Sequence, residues 1–257
     1  MKIDLCVTLK GWNLDLLTPL FFETLFRNTS TEDLIIHVVI DDVETPQSVK
    51  DYLYRLRDSV DIPFNIYVLE PFLEKLAKQD RFTAVYDITE TGHWMMDNCG
   101  TQDWVIISHY DVAFRPNMDM VKRIKRCMQQ KAQPVGVIGL HSYGIIAINR
   151  RAYQESPFRF DALPGMGAYR VESGLYRLVH QKDPRCEEDI IHPLDGMELF
   201  TIAIQQRGWE FVPMTDVELG CQHLIRGSGW GDGPESLRQI QRETIKEIMR
   251  AYNIQPL

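Results

Sequence analysis

The stretch 103-DWVIISHYDV-112 decides how the chain is read. Trp104 to Ile107 are apolar in a row and run straight into Ser108, His109, Tyr110 and Asp111, after which the chain turns apolar again at Val112 and Ala113. A short continuous apolar run is the pattern of a strand covered on both faces of a sheet. In an open α/β sheet, ligands sit beyond the carboxyl ends of the strands, which is where an imidazole and a carboxylate then fall. The pattern predicts a strand that reaches Asp111, with His109 and Asp111, two apart on extended backbone, facing one ligand together. Mixed nitrogen and oxygen donors at such a rim suit a divalent cation, Mn2+ at least as well as Mg2+.

Outward from this strand the chain alternates. Upstream, Ile3 to Leu9 reads as a strand, Leu14 to Phe26 as a helix, Leu34 to Ile40 (LIIHVVI) as a doubly covered strand ending in Asp41-Asp42, Gln47 to Arg57 as a helix and Phe64 to Leu69 as a strand. Helical stretches are expected at Pro71 to Lys78 and around Glu90 to Asn98. Downstream, Pro116 to Gln130 has Met118, Val121, Ile124 and Cys127 at helical spacing. Strands separated by helices of this length argue for βαβ units and a mostly parallel, doubly wound sheet. Beyond residue 130, Val135 to Leu140, Gly144 to Ile148 and Trp209 to Pro213 read as strands, and Gly196 to Arg207 and the segment from Leu237 to Tyr252 as helices, while Pro157 to Pro193 lacks periodicity. The loop 227-GSGWGDG-233 carries four glycines in seven residues.

The totals exclude several classes. At 257 residues the chain can bury a large core without disulfides or a structural metal. Its five cysteines are scattered and never in a CxxC pair, which indicates neither a disulfide framework nor a zinc site and favours a reducing, cytoplasmic setting. Asp4 stands where a secretory apolar region would begin, and no apolar run approaches the roughly 18 residues of a membrane span. A net charge of −8 argues against a protein that wraps nucleic-acid phosphates, and the basic run Lys122 to Arg126 has the spacing of a solvated helix face. No GxGxxG follows a strand, which disfavours the dinucleotide-binding oxidoreductases, and GxxxxGK[ST] is absent, which excludes the P-loop class.

Four segments, in order, resemble a known family. They are VVIDDVE (38–44), WVIISHYDV (104–112), YGIIAINRRAY (143–153) followed by FRFD (158–161), and HLIRGSGW (223–230). Their layout is similar to the GT-A glycosyltransferases, especially the large inverting bacterial group. The resemblance implies an α/β fold of GT-A type over residues 1–257 as one catalytic domain: a nucleotide-binding half at 1–130, an elaborated acceptor-side half at 131–233 and a C-terminal helix at 234–257. It implies Mn2+ or Mg2+ held by Asp111 and His223, with His109, standing where the family has its first Asp, as a third ligand or a partner to the ligands. Thr8, Asp41 and Asp42 would contact the donor's base or ribose, His109, Tyr110 and Asp111 would line the donor site, and Arg226 would reach the diphosphate. In place of the family's acidic pair the chain has 192-HPLDGMELF-200, so Asp195 is the first choice for the base and Glu198 the second.

The activity so implied is transfer of a sugar, hexosyl in type, from a nucleoside-diphosphate sugar, a UDP-sugar first, to a hydroxyl acceptor that the sequence does not name. A bound cation would neutralise the leaving diphosphate and a carboxylate would take the acceptor's proton, with inversion from one displacement. Two alternatives stay open. A nucleotidyltransferase is disfavoured because LKGWN (9–13) has a single glycine after the first strand, and an inactive GT-A-like binding module is favoured only by His109 in place of an acid.

Overall fold

The computed structural model describes residues 1–9, 13–41, 45–69, 92–129, 132–139, 144–156, 169–170, 191–192, 196–224 and 235–257. In chain order its strands are β1 (Ile3–Leu9), β2 (Leu34–Asp41), β3 (Phe64–Leu69), β4 (Trp104–His109), β5 (Val112–Phe114), β6 (Val135–Gly139), β7 (Ile145–Asn149), β8 (Tyr169–Arg170), β9 (Ile191–His192), β10 (Glu210–Val212) and β11 (Cys221–His223). Seven of them form one sheet in the order β10-β6-β7-β4-β1-β2-β3. The pairs β1–β2, β2–β3, β1–β4 and β10–β6 are parallel, and only β7 runs against its neighbours, antiparallel to β4 and β6. The fold is thus mixed α/β with a mostly parallel central sheet, as the alternation of elements leads one to expect.

Apolar residues on both sides of β1 and β2 follow from helices on both faces. Ile3, Leu5, Val7 and Leu9 belong to one buried cluster with Leu17, Leu20, Phe21 and Leu25 of the helix Leu14–Asn28, and Met249 of the helix Glu235–Ala251 joins them. Cys6, on the alternate side of β1, packs in a second cluster with Met95 and Cys99, Tyr153, and Phe200 and Ile204 of the helix Gly196–Gln205. The period of two in a strand sorts its side chains between these two layers. Among the described residues no helix is long and apolar enough to cross a membrane.

Most element boundaries differ from expectation by one or two residues, and two of the differences bear on the site. The helix after β5 starts at Met120 rather than Pro116, because Pro116 and Asn117 form a turn with Asn117 at φ 62, and the Asp119 carboxylate accepts the Lys122 N–H at the helix start. β4 stops at His109 rather than Asp111. The segments Pro71 to Lys78 and 227–233 lie outside the described residues.

The second cluster holds one charged network. Asp4 is fully buried, with Oδ1 at 3.1 Å from His37 Nε2 and Oδ2 accepting from Gln102 N–H at 3.0 Å and Arg150 Nη2 at 3.1 Å. His37 Nδ1 lies 3.1 Å from the Tyr67 hydroxyl, and Arg150 also donates to the carbonyls of Met96, Cys99 and Gln102. Gly100, at φ +72, passes so close that a Cβ there would stand 2.2 Å from Asp4 Oδ1. Burial opposes the Asp4 charge, but the His37 contact, the Gln102 N–H and Arg150 outweigh it and hold the carboxyl below its ordinary value. A depressed carboxyl contributes stability above the unfolded value near 3.8 and loses it as pH falls through the folded value. Asp4→Asn is therefore expected to lower stability by about 3–5 kcal/mol at neutral pH, since it strands Arg150 and His37. In denaturant titrations the gap from the parent should close as the solution is acidified below that range.

Candidate metal centre

The order of the strands locates the crevice. From β1 the chain steps outward through β2 to β3 and then returns to place β4 on the other side of β1, so the winding reverses between β1 and β4. That reversal opens a cleft at the carboxyl ends of the two strands. Their register sets Thr8 opposite His109 at this rim.

Beyond His109 the chain turns at Tyr110-Asp111 and sets out again as β5, which pairs antiparallel with β11. His223 stands opposite Val112, and the Leu224 N–H donates to the Asp111 carbonyl at 2.8 Å. β11 is delivered by a short helix, Asp216–Leu219, whose start is closed by reciprocal bonds between Thr215 and Glu218, and whose end turns through Gly220 at φ 90. A side chain at Gly220 would have its Cβ 2.3 Å from the Met118 carbonyl oxygen.

This ribbon brings three side chains together. His223 Nε2 is 3.1 Å from Asp111 Oδ1, His109 Nδ1 is 3.9 Å from the same oxygen, and the two imidazole rings meet edge to face at 5.5 Å. One donor atom from each of His109, Asp111 and His223 lies within 4.8 Å of the other two. The reason is not shared strand periodicity. Asp111 is 1% exposed and His109 45% exposed, and a turn at Tyr110-Asp111 rather than extended backbone joins them.

The charges set how the site titrates. For His223, burial disfavours the cation, but the hydrogen bond and charge of Asp111, with Asp216 behind, raise its pKa above the ordinary 6.5. For His109, desolvation lowers the value, Asp111 opposes and His223 reinforces. Asp216, 4% exposed, is raised by burial against the pull of the Gly144 N–H and of His223. His109 thus offers a lone pair at neutral pH, while a proton competes for His223.

The remaining expected residues are placed unevenly. Thr8 is the last residue but one of β1, with its hydroxyl toward Met95 Sδ at 3.5 Å, and Asp41 ends β2. Tyr110, expected to line the donor site, is 6% exposed and belongs to the buried core cluster. Glu198 lies in the first turn of the helix Gly196–Gln205. Asp42, Asp195 and Arg226 lie outside the described residues. Two contributors went unnoticed in the sequence. Gly144 accepts the His109 N–H at 2.7 Å and donates to Asp216 Oδ2 at 3.2 Å, and Asp216 lies 3.7 Å from His223 Nδ1. An Asp in 214-MTDVELG-220 reads as a helix-start residue, and nothing in the pattern separates it from one.

No protein-family model and no curated protein matches the chain. Solved structures similar to it include the apo form of mouse xyloside xylosyltransferase 1, at 10% identity and a TM-score of 0.45, over 84% of this chain and 85% of that one. A mannosyltransferase from Pyrobaculum calidifontis in complex with GDP-Man and Mn2+ aligns at 12% identity and a TM-score of 0.48, over 95% and 69%. The apo glycosyltransferase GlyE of Streptococcus pneumoniae aligns at 12% and 0.45, over 100% and 65%.

The donor set fits a divalent cation. A buried carboxylate and two imidazole nitrogens match the ligand chemistry of Mn2+ and its heavier neighbours better than the all-oxygen shell preferred by Mg2+. Because a ligating imidazole must shed its proton, affinity is lost as pH falls through the raised His223 value. Calorimetric titration with Mn2+ from about pH 8 down to about pH 5.5 should show binding that weakens from above the ordinary histidine range near 6.5, with proton release, and tighter binding of Mn2+ than of Mg2+. Gly144→Ala would bring a Cβ within 2.4 Å of Val112 Cγ2 and 3.2 Å of the His223 ring. It is expected to cost about 1–3 kcal/mol in thermal or denaturant unfolding and to weaken Mn2+ binding.

Proposed function

We propose that the chain is a metal-dependent, inverting glycosyltransferase of GT-A type that moves a sugar from a nucleoside-diphosphate sugar, a UDP-sugar first, to a hydroxyl acceptor. The observation that carries this reading is the convergence of His109, Asp111 and His223 at the switch point between β1 and β4. The ordered motifs of the sequence support it.

In this reading His109, Asp111 and His223 hold the cation, whose chemistry is to neutralise charge developing on the departing diphosphate. Thr8 and Asp41, at the ends of β1 and β2, face the nucleoside end of the donor, and Arg226 adds a charge-assisted contact to its phosphates. The acceptor oxygen bonds to the anomeric carbon as the bond from that carbon to the diphosphate oxygen breaks, and the electron pair leaves with the diphosphate. Asp195, or Glu198 in its place, takes the hydroxyl proton. One displacement inverts the anomeric centre.

Thermal melts with UDP, GDP, CDP and dTDP, each with and without Mn2+, test this. One nucleotide should stabilise the protein only when the metal is present, by about 2.7 kcal/mol at a hundredfold excess over Kd, and Asp111→Asn should abolish the effect. Stabilisation that ignores the metal would point instead to an inactive nucleotide-binding module. No stabilisation by any of the four would overturn the reading.

A further inference from the structure

Behind His223, on the side away from Asp111, lies a buried carboxylate to which the proposed reaction assigns no role. Asp216 is the first residue of the short helix that delivers β11, yet it does not cap that helix; Thr215 and Glu218 do so between them. Its side chain is 5% exposed, its Oδ2 accepts the Gly144 N–H at 3.2 Å and stands 3.7 Å from His223 Nδ1, and its Oδ1 is buried with no hydrogen-bond partner. His223 Nδ1 is likewise buried with no hydrogen-bond partner. An imidazole whose two nitrogens face two carboxylates, one at 3.1 Å and one at 3.7 Å, has one edge toward the cation cluster and one toward the interior.

We propose that Asp216 is the positioning residue of the metal centre: it accepts the proton of His223 Nδ1, fixes the ring, and so leaves Nε2 with its lone pair aimed at the cation shared with Asp111 and His109. This inference rests on the metal-centre reading above and adds to it the group that orients one ligand. A ligating histidine commonly donates its second N–H to a carboxylate, which sets tautomer and orientation. The geometry here supplies that partner. Closing 3.7 Å to hydrogen-bond length needs only a small rotation of the carboxylate or the ring, and it gives the buried Nδ1 a partner. Gly144 braces the arrangement from both sides, since its N–H holds Asp216 and its carbonyl accepts from the backbone of His109. The missing Cβ at Gly144 also leaves room for the His223 ring, which a methyl group would meet at 3.2 Å.

The test uses the metal alone and the full chain. Mn2+ affinity, followed by the paramagnetic signal of the free ion, should fall about 10–100-fold in Asp216→Ala. Asp216→Asn, whose amide oxygen can still accept from Nδ1–H, should recover part of the loss. In protein loaded with Zn2+, nitrogen-15 spectra of the parent should show His223 metallated at Nε2 and carrying a slowly exchanging proton on Nδ1. That proton should exchange fast in the alanine variant. A merely structural role would lower the melting temperature of both variants and leave metal affinity and the ring proton unchanged, which would overturn the proposal while the metal centre stands. Metallation at Nδ1 in the parent would overturn it even if the alanine variant failed to fold. A parent that bound neither Mn2+ nor Zn2+ would remove the metal centre and this inference together.

Discussion

The hydrogen bond from the Leu224 N–H to the Asp111 carbonyl, 2.8 Å long, is the constraint on which the site depends. It closes the end of the β5–β11 ribbon and brings together residues 112 positions apart. Without it the end of β4 would present an exposed imidazole, and Asp111 would lose its contact with His223. A carboxylate that is 1% exposed is costly unless charge or hydrogen bonds compensate, and the His223 ring, fixed by the same ribbon, supplies both. Backbone pairing thus comes first and electrostatics follows from it.

Much of the fold could be read from the chain. The apolar runs at Leu34 to Ile40 and Trp104 to Ile107 read as strands covered on both faces, and both are strands of the central sheet. What periodicity could not supply was direction. Val137 and Ile148 are adjacent on antiparallel strands, and nothing in two short apolar runs shows that β7 is reversed against the rest of the sheet. Three-residue strands escape for a different reason. Cys221, Gln222 and His223 are too few to show alternation, and their pairing with β5 depends on contacts more than a hundred residues away.

The site was legible in its composition and illegible in its geometry. His109, Asp111 and His223 could be singled out because strand ends bind ligands and because the motifs come in a familiar order. The expectation that His109 and Asp111 share one strand face differs from the structure, where a turn rather than an extended segment joins them and their donor atoms still come within reach of one another. Gly144 shows the other limit. Its importance lies in what a Cβ would strike, Val112 at 2.4 Å, and that is a property of the packed state.

The rim and the interior beneath it handle charge in opposite ways. In the interior, Asp4 is surrounded by Arg150, His37 and a backbone N–H, so its carboxyl is held well ionised and the network serves to lock β1 to β2 and to the residues around 96–102. At the rim, His223 stands between Asp111 and Asp216, and both carboxylates favour its protonated form. A protein interior satisfied by its own ion pairs attracts nothing further. At the rim, one buried carboxylate and two imidazoles bring donor atoms within 4.8 Å of one another, an arrangement whose mixed oxygen and nitrogen donors suit a divalent cation.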